Sequence, residues 1–434
     1  MIRLVYNLLF PLGLLFFLPG YLRKMRRRGN YRRNFGQRFG FYGKDVLDPL
    51  PQQRPTWIHA VSVGEVAIAL KLAARLRELE PDFHGVLTTA TTTGFAVAER
   101  EAGDRLRVMY NPLDFWPIVR RAFATIRPKR IVLVEAEVWP NLAACARARG
   151  IPLALVNARL SPRSERRFRR FRALVAPTFC CLDLVCVQER KDVERWASLG
   201  VPREVIKVVG SIKYDPEETG VDTPLALRVL RSCGIGEGRP VLFGGSTHPG
   251  EEEILATVFL RLRAEFPSLL LIIAPRHVER TPKILEILQA RGLRTALRSA
   301  VEQNAGVEPD CLLLDTTGEL RNWYAVATVV FVGKSLIATG GQNPVEPILA
   351  GKPVIFGPHM ENFASLADSL LAAGGAVQAD NGDALELKVT ELLHDPKRQD
   401  RMVQNSLQVL AKHRGATERT AELIVALQPR RDGG

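Results

Sequence analysis

Three stretches of this 434-residue chain place reactive side chains where an apolar run gives way to a helix. In the first, Trp57-Ile58-His59-Ala60-Val61 passes through Ser62-Val63-Gly64 to Glu65, with a helix expected from about Val66. A carboxylate there suits a general base: the glycine permits close backbone approach, and the helix dipole favours the ionised acid. The same Ser-x-x-Glu spacing is that of a capping box, and the two readings compete on even terms. In the second, Glu135 and Glu137 stand two apart ahead of Trp139, so both point the same way in an extended chain. A sugar ring can pack on that indole, which makes the pair functional candidates. In the third, Gly210-Ser211-Ile212-Lys213-Tyr214-Asp215 closes a strand and places Lys213 to meet a phosphate. The hydroxyl-rich turn Thr88–Gly94 suits a sugar or phosphate, or simply caps its own helix.

The second half repeats the arrangement with different residues. Gly244-Gly245-Ser246-Thr247-His248-Pro249-Gly250-Glu251 is a strand, a Gly and Ser/Thr loop, and an acidic helix start, yet neither a Walker loop nor GxGxxG. Pro275-Arg276 puts an arginine at the next strand end. Thr317-Gly318-Glu319 and Asn343-Pro344-Val345-Glu346 each open a helix. A helix N-terminus receives a phosphate, and an acid one turn in can hold ribose hydroxyls. The combination points to a nucleotide in the second half and an acceptor in the first. No Asp-x-Asp cluster suited to magnesium–nucleotide binding is present, and neither a metal nor another cofactor is expected. The six cysteines are scattered, without CxxC pairs or zinc spacing, which fits a reducing compartment.

Positioning such residues takes a scaffold of parallel strands. Runs such as Ile131-Val132-Leu133-Val134 are apolar without alternation, as strands buried on both faces must be. Strands are expected at residues 56–61, 85–90, 106–110, 130–135, 153–157, 182–187 and 205–209. After a polar, proline-punctuated connector around 214–224 they resume at 241–244, 269–274, 311–315, 329–332 and 354–356, with helices between. This is an α/β chain of two doubly wound, Rossmann-like halves with a cleft between them, ligands lying at the carboxyl ends of the strands. The expected boundaries are 1–30 for an N-terminal anchor with its basic segment, 31–218 for an acceptor domain and 219–434 for a nucleotide domain.

Composition sets further limits. With 46% hydrophobic and 24% charged residues, the chain is neither a polytopic membrane protein nor disordered. A net charge of +14 suggests nucleic acid, but its distribution argues otherwise. Seven cations between Arg23 and Arg33, and six arginines between Arg163 and Arg172 against Glu165, account for 12 of the 14 excess charges. No nucleic-acid partner is expected from two local patches on a nearly neutral body. The first patch follows an apolar run, Leu4–Leu22, of about 19 residues, roughly 28 Å as a helix. Cations after the run rather than before it keep the body in the cytoplasm. The reading is a single-pass or interfacial anchor on the cytoplasmic face of the inner membrane, with anionic lipids as partners. The second patch, Arg166–Arg172 with interleaved phenylalanines, suits a helix on anionic headgroups, or equally a solvated helix with Phe168 and Phe171 in the core.

Taken in order, the motifs resemble a known family. They are Phe39-Gly40-Phe41-Tyr42, His59–Glu65 (HAVSVGE), Glu135–Leu142 (EAEVWPNL), Asn157–Ser161 (NARLS), Gly210–Asp215 (GSIKYD), Ser246–Glu252 (STHPGEE), Ala274–His277 (APRH), Thr317–Leu320 (TGEL), Gly340–Pro347 (GGQNPVEP) and Gly357–Phe363 (GPHMENF). The chain is similar over essentially its whole length to the 3-deoxy-D-manno-octulosonic acid (Kdo) transferases of lipopolysaccharide synthesis. The resemblance implies a GT-B type fold and inverting transfer of Kdo from CMP-Kdo to lipid A precursor. It implies Glu65 as general base, Glu135 and Lys213 as a transition-state stabilising pair, and CMP contacts from Pro275, Arg276, Thr317, Gly318, Glu319, Asn343, Pro344, Val345 and Glu346. Three positions depart from the family pattern: Lys334 for a second glycine, Gln342 for a common histidine and Gln37 for a usual glutamate. Two other classes stand beside this one. A GT-B enzyme using another sugar nucleotide would release a nucleotide other than CMP, and a membrane-bound nucleotide-binding protein would show no turnover.

Overall fold

The computed structural model describes residues 2–28, 34–43, 54–136, 138–160, 162–215, 223–236, 238–303 and 308–429. Glu137, Ser161, Arg32, Arg33 and the connector residues 216–222, all used above, lie outside them. The chain forms two compact units, residues 1–215 with 413–434, and residues 216–412.

In the first unit seven parallel strands are β1 (Thr56–His59), β2 (Gly85–Thr89), β3 (Leu106–Tyr110), β4 (Arg130–Val134), β5 (Leu153–Ala158), β6 (Leu184–Val187) and β7 (Ile206–Val208). They are ordered β3-β2-β1-β4-β5-β6-β7, so the winding reverses between β1 and β4. Apolar residues fill both faces alternately: Trp57, Ile131 and Leu155 enter one core, and Ile58, Val132 and Val156 the other. The second unit is built alike from β8 (Val241–Thr247), β9 (Leu270–Pro275), β10 (Thr295–Leu297), β11 (Cys311–Leu313), β12 (Val329–Val332), β13 (Val354–Phe356) and β14 (Val377–Gln378). Its order is β10-β11-β9-β8-β12-β13-β14, reversing between β8 and β12. The edge strands β10 and β14 are the two that the sequence reading lacks. Each is two or three residues long and none of them is fully buried, so no apolar run marks it.

The second expected boundary moves. The tail does not stay with the nucleotide half: Ala421 and Ile424 of the Ala416–Val425 helix complete the first unit's core beside the Val63–Leu79 helix. The Asp215 carboxylate accepts from the Gly415 and Thr417 amides, 2.7 Å each, which caps that helix with a negative charge. Arg130 reaches the Ile424 carbonyl at 3.1 Å, and Arg75 pairs with Glu418.

The N-terminal apolar run is one helix, Ile2–Arg28, but among the described residues no helix is long and apolar enough to cross a membrane. One side of this helix docks on the first unit through polar groups a bilayer core would penalise. The Asn7 carboxamide bonds Asn141 at 2.9 Å and accepts from the Trp116 amide at 3.0 Å; Tyr6 donates to Asp114, and Phe10 stacks on Phe115. On another side Leu4, Leu8, Leu12 and Leu15 are 64–68% exposed and Phe16 is 80% exposed.

Candidate active site

In the first unit the helix after β1 begins at Val63, three residues earlier than expected, because Ser62 is its N-cap. Glu65 is then the third helical residue, and the capping box forms. Ser62 Oγ accepts from the Glu65 amide at 3.3 Å and donates to Glu65 Oε1 at 2.8 Å, while the Val61 amide donates to Oε2 at 2.9 Å. The carboxylate is thus buried and fixed from one side by its own turn. The hydroxyl-rich turn after β2 braces this loop. Thr91 caps the Thr92–Glu101 helix, and the Thr89 and Thr91 hydroxyls donate to the Val61 carbonyl at 3.2 and 3.1 Å. Beneath lies His59, fully buried, whose imidazole is pushed down to about 4 by burial and is therefore neutral.

Glu135 follows β4, the strand across the reversal from β1. Its backbone is left-handed (φ 63), a conformation that costs a non-glycine residue about 1–3 kcal/mol. Bonds from the Glu135 amide to Val156 (2.9 Å) and from the Arg159 amide to the Glu135 carbonyl (3.3 Å) hold it there. Burial raises the Glu135 carboxyl above the usual range, and repulsion from Glu65 adds to this, while Arg159 and Lys213 oppose it. Lys213 is pushed down to about 8 by burial and by Arg159, against the pull of Glu135. The fold therefore gathers Glu65, Glu135, Arg159 and Lys213 into one field at the carboxyl edge of the first sheet. Arg159 is the member to which the sequence reading gave no role, although it stands in the Asn157–Ser161 motif. Trp139 packs against the core as a half-buried N-cap of the Pro140–Arg147 helix. In the second basic patch Phe168 meets Phe179 in the core, whereas Phe171 is exposed. Gln37, where a glutamate is usual, is buried and accepts from the Tyr110 amide at 2.8 Å.

In the second unit the expected donor segments also lie at carboxyl ends. Pro275 ends β9, and the Arg276 amide donates to the Thr247 carbonyl at 3.1 Å, leaving an exposed side chain. Thr317 and Gly318 are exposed beyond β11. Glu319 accepts from Arg298 Nε (3.1 Å) and Trp323 Nε1 (3.4 Å). Asn343 and Pro344 lead into the helix Val345–Leu349, where Glu346 pairs with Arg321 at 3.6 Å. Arg321 sits on the helix Leu320–Tyr324 that Glu319 opens, so the two segments are neighbours. Both helices have only five residues, and their dipoles are correspondingly small.

The signal that sequence reasoning missed here is Glu251. Almost wholly buried, its two oxygens accept from the amides of His248, Lys334, Ser335 and Leu336 at 2.8–3.1 Å, tying the end of β8 to that of β12. The strand ends are close enough that a Cβ at Gly333 would meet the Ser246 carbonyl oxygen at 2.3 Å. Among the described residues no group of three or more His, Cys, Asp or Glu is placed to hold a metal ion.

Two doubly wound units with carboxylates and cations at the edge of one sheet, and arginine-bearing, amide-rich loops at the edge of the other, define an α/β protein of the GT-B glycosyltransferase kind. Solved structures share that fold: UDP-GlcNAc 2-epimerase from Neisseria meningitidis bound to UDP-GlcNAc (TM-score 0.55, 12% identity, 86% of this chain and 100% of that one) and the glycotransferase of kitacinnamycin (TM-score 0.52, 16% identity, 86% and 99%). Residues 33–216 match the family described as 3-deoxy-D-manno-octulosonic-acid transferase (kdotransferase). The 3-deoxy-D-manno-octulosonic acid transferase of Bordetella pertussis is 38% identical over 412 residues, 93% of this chain and 94% of that protein. That of Haemophilus influenzae is 34% identical over 398 residues, 91% of each. The chain belongs to the 3-deoxy-D-manno-octulosonic acid transferase family, and it is a glycosyltransferase.

Proposed function

We propose that this protein moves Kdo from CMP-Kdo to the lipid A precursor lipid IVA by inverting transfer, with Glu65 as general base. The observation that carries the reading is the convergence of Glu65 and Glu135 with Arg159 and Lys213 at the edge of the first sheet. Glu65 accepts the proton of the acceptor hydroxyl while that oxygen attacks the anomeric carbon of Kdo, and the bond to the CMP phosphate breaks with its electron pair leaving on the phosphate. The centre is oxocarbenium-like, and Glu135 and Lys213 stabilise charge as it shifts. The acceptor belongs to the first unit and the donor to the second, through Pro275–Arg276, Thr317–Glu319 and Asn343–Glu346. CMP is a good leaving group, and Arg276 and backbone amides neutralise its phosphate, so the reaction is read as needing neither metal nor cofactor.

The N-terminal helix serves as an interfacial anchor. Its leucine face enters the acyl boundary of the inner membrane from the cytoplasmic side, and the basic cluster meets anionic headgroups. That places the enzyme beside a lipid substrate. Incubation with lipid IVA and CMP-Kdo tests the whole reading: the product mass should rise by one or more Kdo residues with release of CMP. Absence of CMP release, or release of another nucleotide from another donor, overturns it.

A further inference from the structure

The turn that carries Lys213 is anchored from two directions by residues to which neither sequence nor family assigned a role. From β5, Asn157 Oδ1 accepts from Ser211 Oγ at 3.1 Å and from the Ile212 amide at 3.2 Å. From the returning tail, His413 Nδ1 accepts from the Ser211 amide at 3.1 Å, and its ring meets Tyr214 edge-on at 5.3 Å. Arg419 holds the preceding Val209 carbonyl at 2.6 Å, and Asp215 is fixed by the Gly415 and Thr417 amides. Every residue anchored in this way lies within two positions of Lys213 in sequence, except Val209, four residues before it.

Asn157 is costly for a residue that only fills space. It is 1% exposed and left-handed (φ 50), and its Nδ2 is buried without a hydrogen-bond partner. Backbone strain and an unpaired buried donor both reduce stability. What the chain gains is an acceptor aimed at two consecutive residues of the turn. His413 likewise presents a bare nitrogen to a backbone donor, which demands the neutral ring with Nδ1 unprotonated.

We propose that Asn157 and His413 are positioning residues for Lys213, holding its turn so that its ammonium stays beside Glu135 and Arg159. The proposal rests on the role of Lys213 in Kdo transfer, but the placement itself can be read without substrate. A long lysine side chain is precise only if its root is fixed, and a displacement of about 1 Å at such a site costs roughly a hundredfold in rate.

The test follows the Lys213 ammonium by NMR of the reductively methylated full-length protein, its resonance assigned by its loss in K213R. N157G keeps the left-handed backbone without strain and removes the whole carboxamide, the acceptor with it; H413L removes the second acceptor. H413N retains an acceptor in place of the imidazole nitrogen. We expect the Lys213 titration to move from about 8 toward the ordinary lysine value of 10.5 in N157G and H413L, and to stay in H413N. In turnover, N157G should lower kcat about 10–100-fold, leave both KM values within about twofold, and add nothing further in a K213A background. An unmoved Lys213 titration in both N157G and H413L overturns the proposal, as does an equal loss of kcat from N157G with and without Lys213. Because the titration needs no substrate, its failure is distinct from a failure of the Kdo-transfer reading.

Discussion

Ser62 and Glu65 cap one another: the serine hydroxyl donates to Glu65 Oε1 at 2.8 Å and accepts from the Glu65 amide at 3.3 Å. The two readings of Glu65 are therefore not exclusive, since the capping box orients the carboxylate that the proposed mechanism uses. A glutamine can fill the box but cannot take a proton. Glu65→Gln keeps one acceptor for the box and is expected to lose less stability than Glu65→Ala, while losing about 10²–10⁴ in kcat. Glu65→Ala should lose the same activity and in addition about 0.5–2 kcal/mol with the cap. Turnover measured beside denaturant unfolding separates the effects, and a Glu65→Gln enzyme with near wild-type kcat would reduce Glu65 to a helix cap.

Lys213 should give the proposed reaction an alkaline limit. Burial pushes its ammonium down to about 8, so it loses its charge above that pH, well below an ordinary lysine. If the charged form stabilises the transition state, kcat should fall about tenfold per pH unit beyond pH 8. Lys213→Arg should carry whatever activity it retains flat through that range, because a guanidinium stays protonated. An alkaline limb that persists unchanged in Lys213→Arg assigns it to another group.

Much of this was legible in the sequence because buried parallel strands announce themselves as unbroken apolar runs. β3, β12 and β13 fall at their expected residues for that reason, and the strand-end motifs follow. Where the signal fails, the physics is non-local. Glu251 looks like one more acid at a helix start, and only the approach of β12 turns it into an acceptor for four amides. The tail helix is as amphipathic as its neighbours, so nothing in 413–434 says which core it completes. The contacts of Asn7 and Tyr6 within the N-terminal helix likewise become visible only once Asn141 and Asp114 are placed beside them.

The proposed donor segments predict a split between the two substrates. Arg276→Ala and Glu346→Ala should each raise the KM for CMP-Kdo by about tenfold or more, the loss of one charged hydrogen bond, with the acceptor KM changed less. Glu346 also pairs with Arg321, so the double variant with Arg321→Ala tells whether its effect passes through that pair. Titration with CMP alone reads the same contact, and unchanged CMP affinity in both single variants rules the assignment out.

Asp114 should make stability depend on pH in a direction opposite to most carboxylates. Its acid group is pushed up to about 6 by burial, against the amides of Asn141 and Leu142 and the Tyr6 hydroxyl, which favour the anion. The folded state then binds the proton more tightly than the unfolded one. The resulting stability is present below pH 4 and is lost as pH rises through about 6, by roughly 3 kcal/mol in all. Asp114→Asn carries no such slope. Comparison of the two proteins by urea unfolding between pH 4 and 7 isolates the contribution, and parallel curves would show that Asp114 titrates normally.

Removal of residues 2–22 tests both faces of the N-terminal helix at once. Its docked face supplies Tyr6, Asn7 and Phe10, so truncation leaves Asp114, Asn141 and the Phe115 ring without these partners. Each hydrogen bond lost is worth about 0.5–1.5 kcal/mol. The first unit should therefore unfold at lower denaturant, with both sheets keeping their cores. Its outer face, Leu4, Leu8, Leu12, Leu15 and Phe16, is what an interfacial helix inserts. The full-length protein should sediment with anionic liposomes even in high salt. The truncated one should do so only in low salt, because the remaining cations contribute about 1 kcal/mol each and are screened. Turnover on detergent-dispersed acceptor should fall far less than turnover on acceptor embedded in vesicles, where the helix supplies local concentration rather than chemistry. Equal sedimentation of the two proteins at high salt would move the membrane contact away from residues 2–22, and the Arg166–Arg172 patch with exposed Phe171 would be the surface to substitute next.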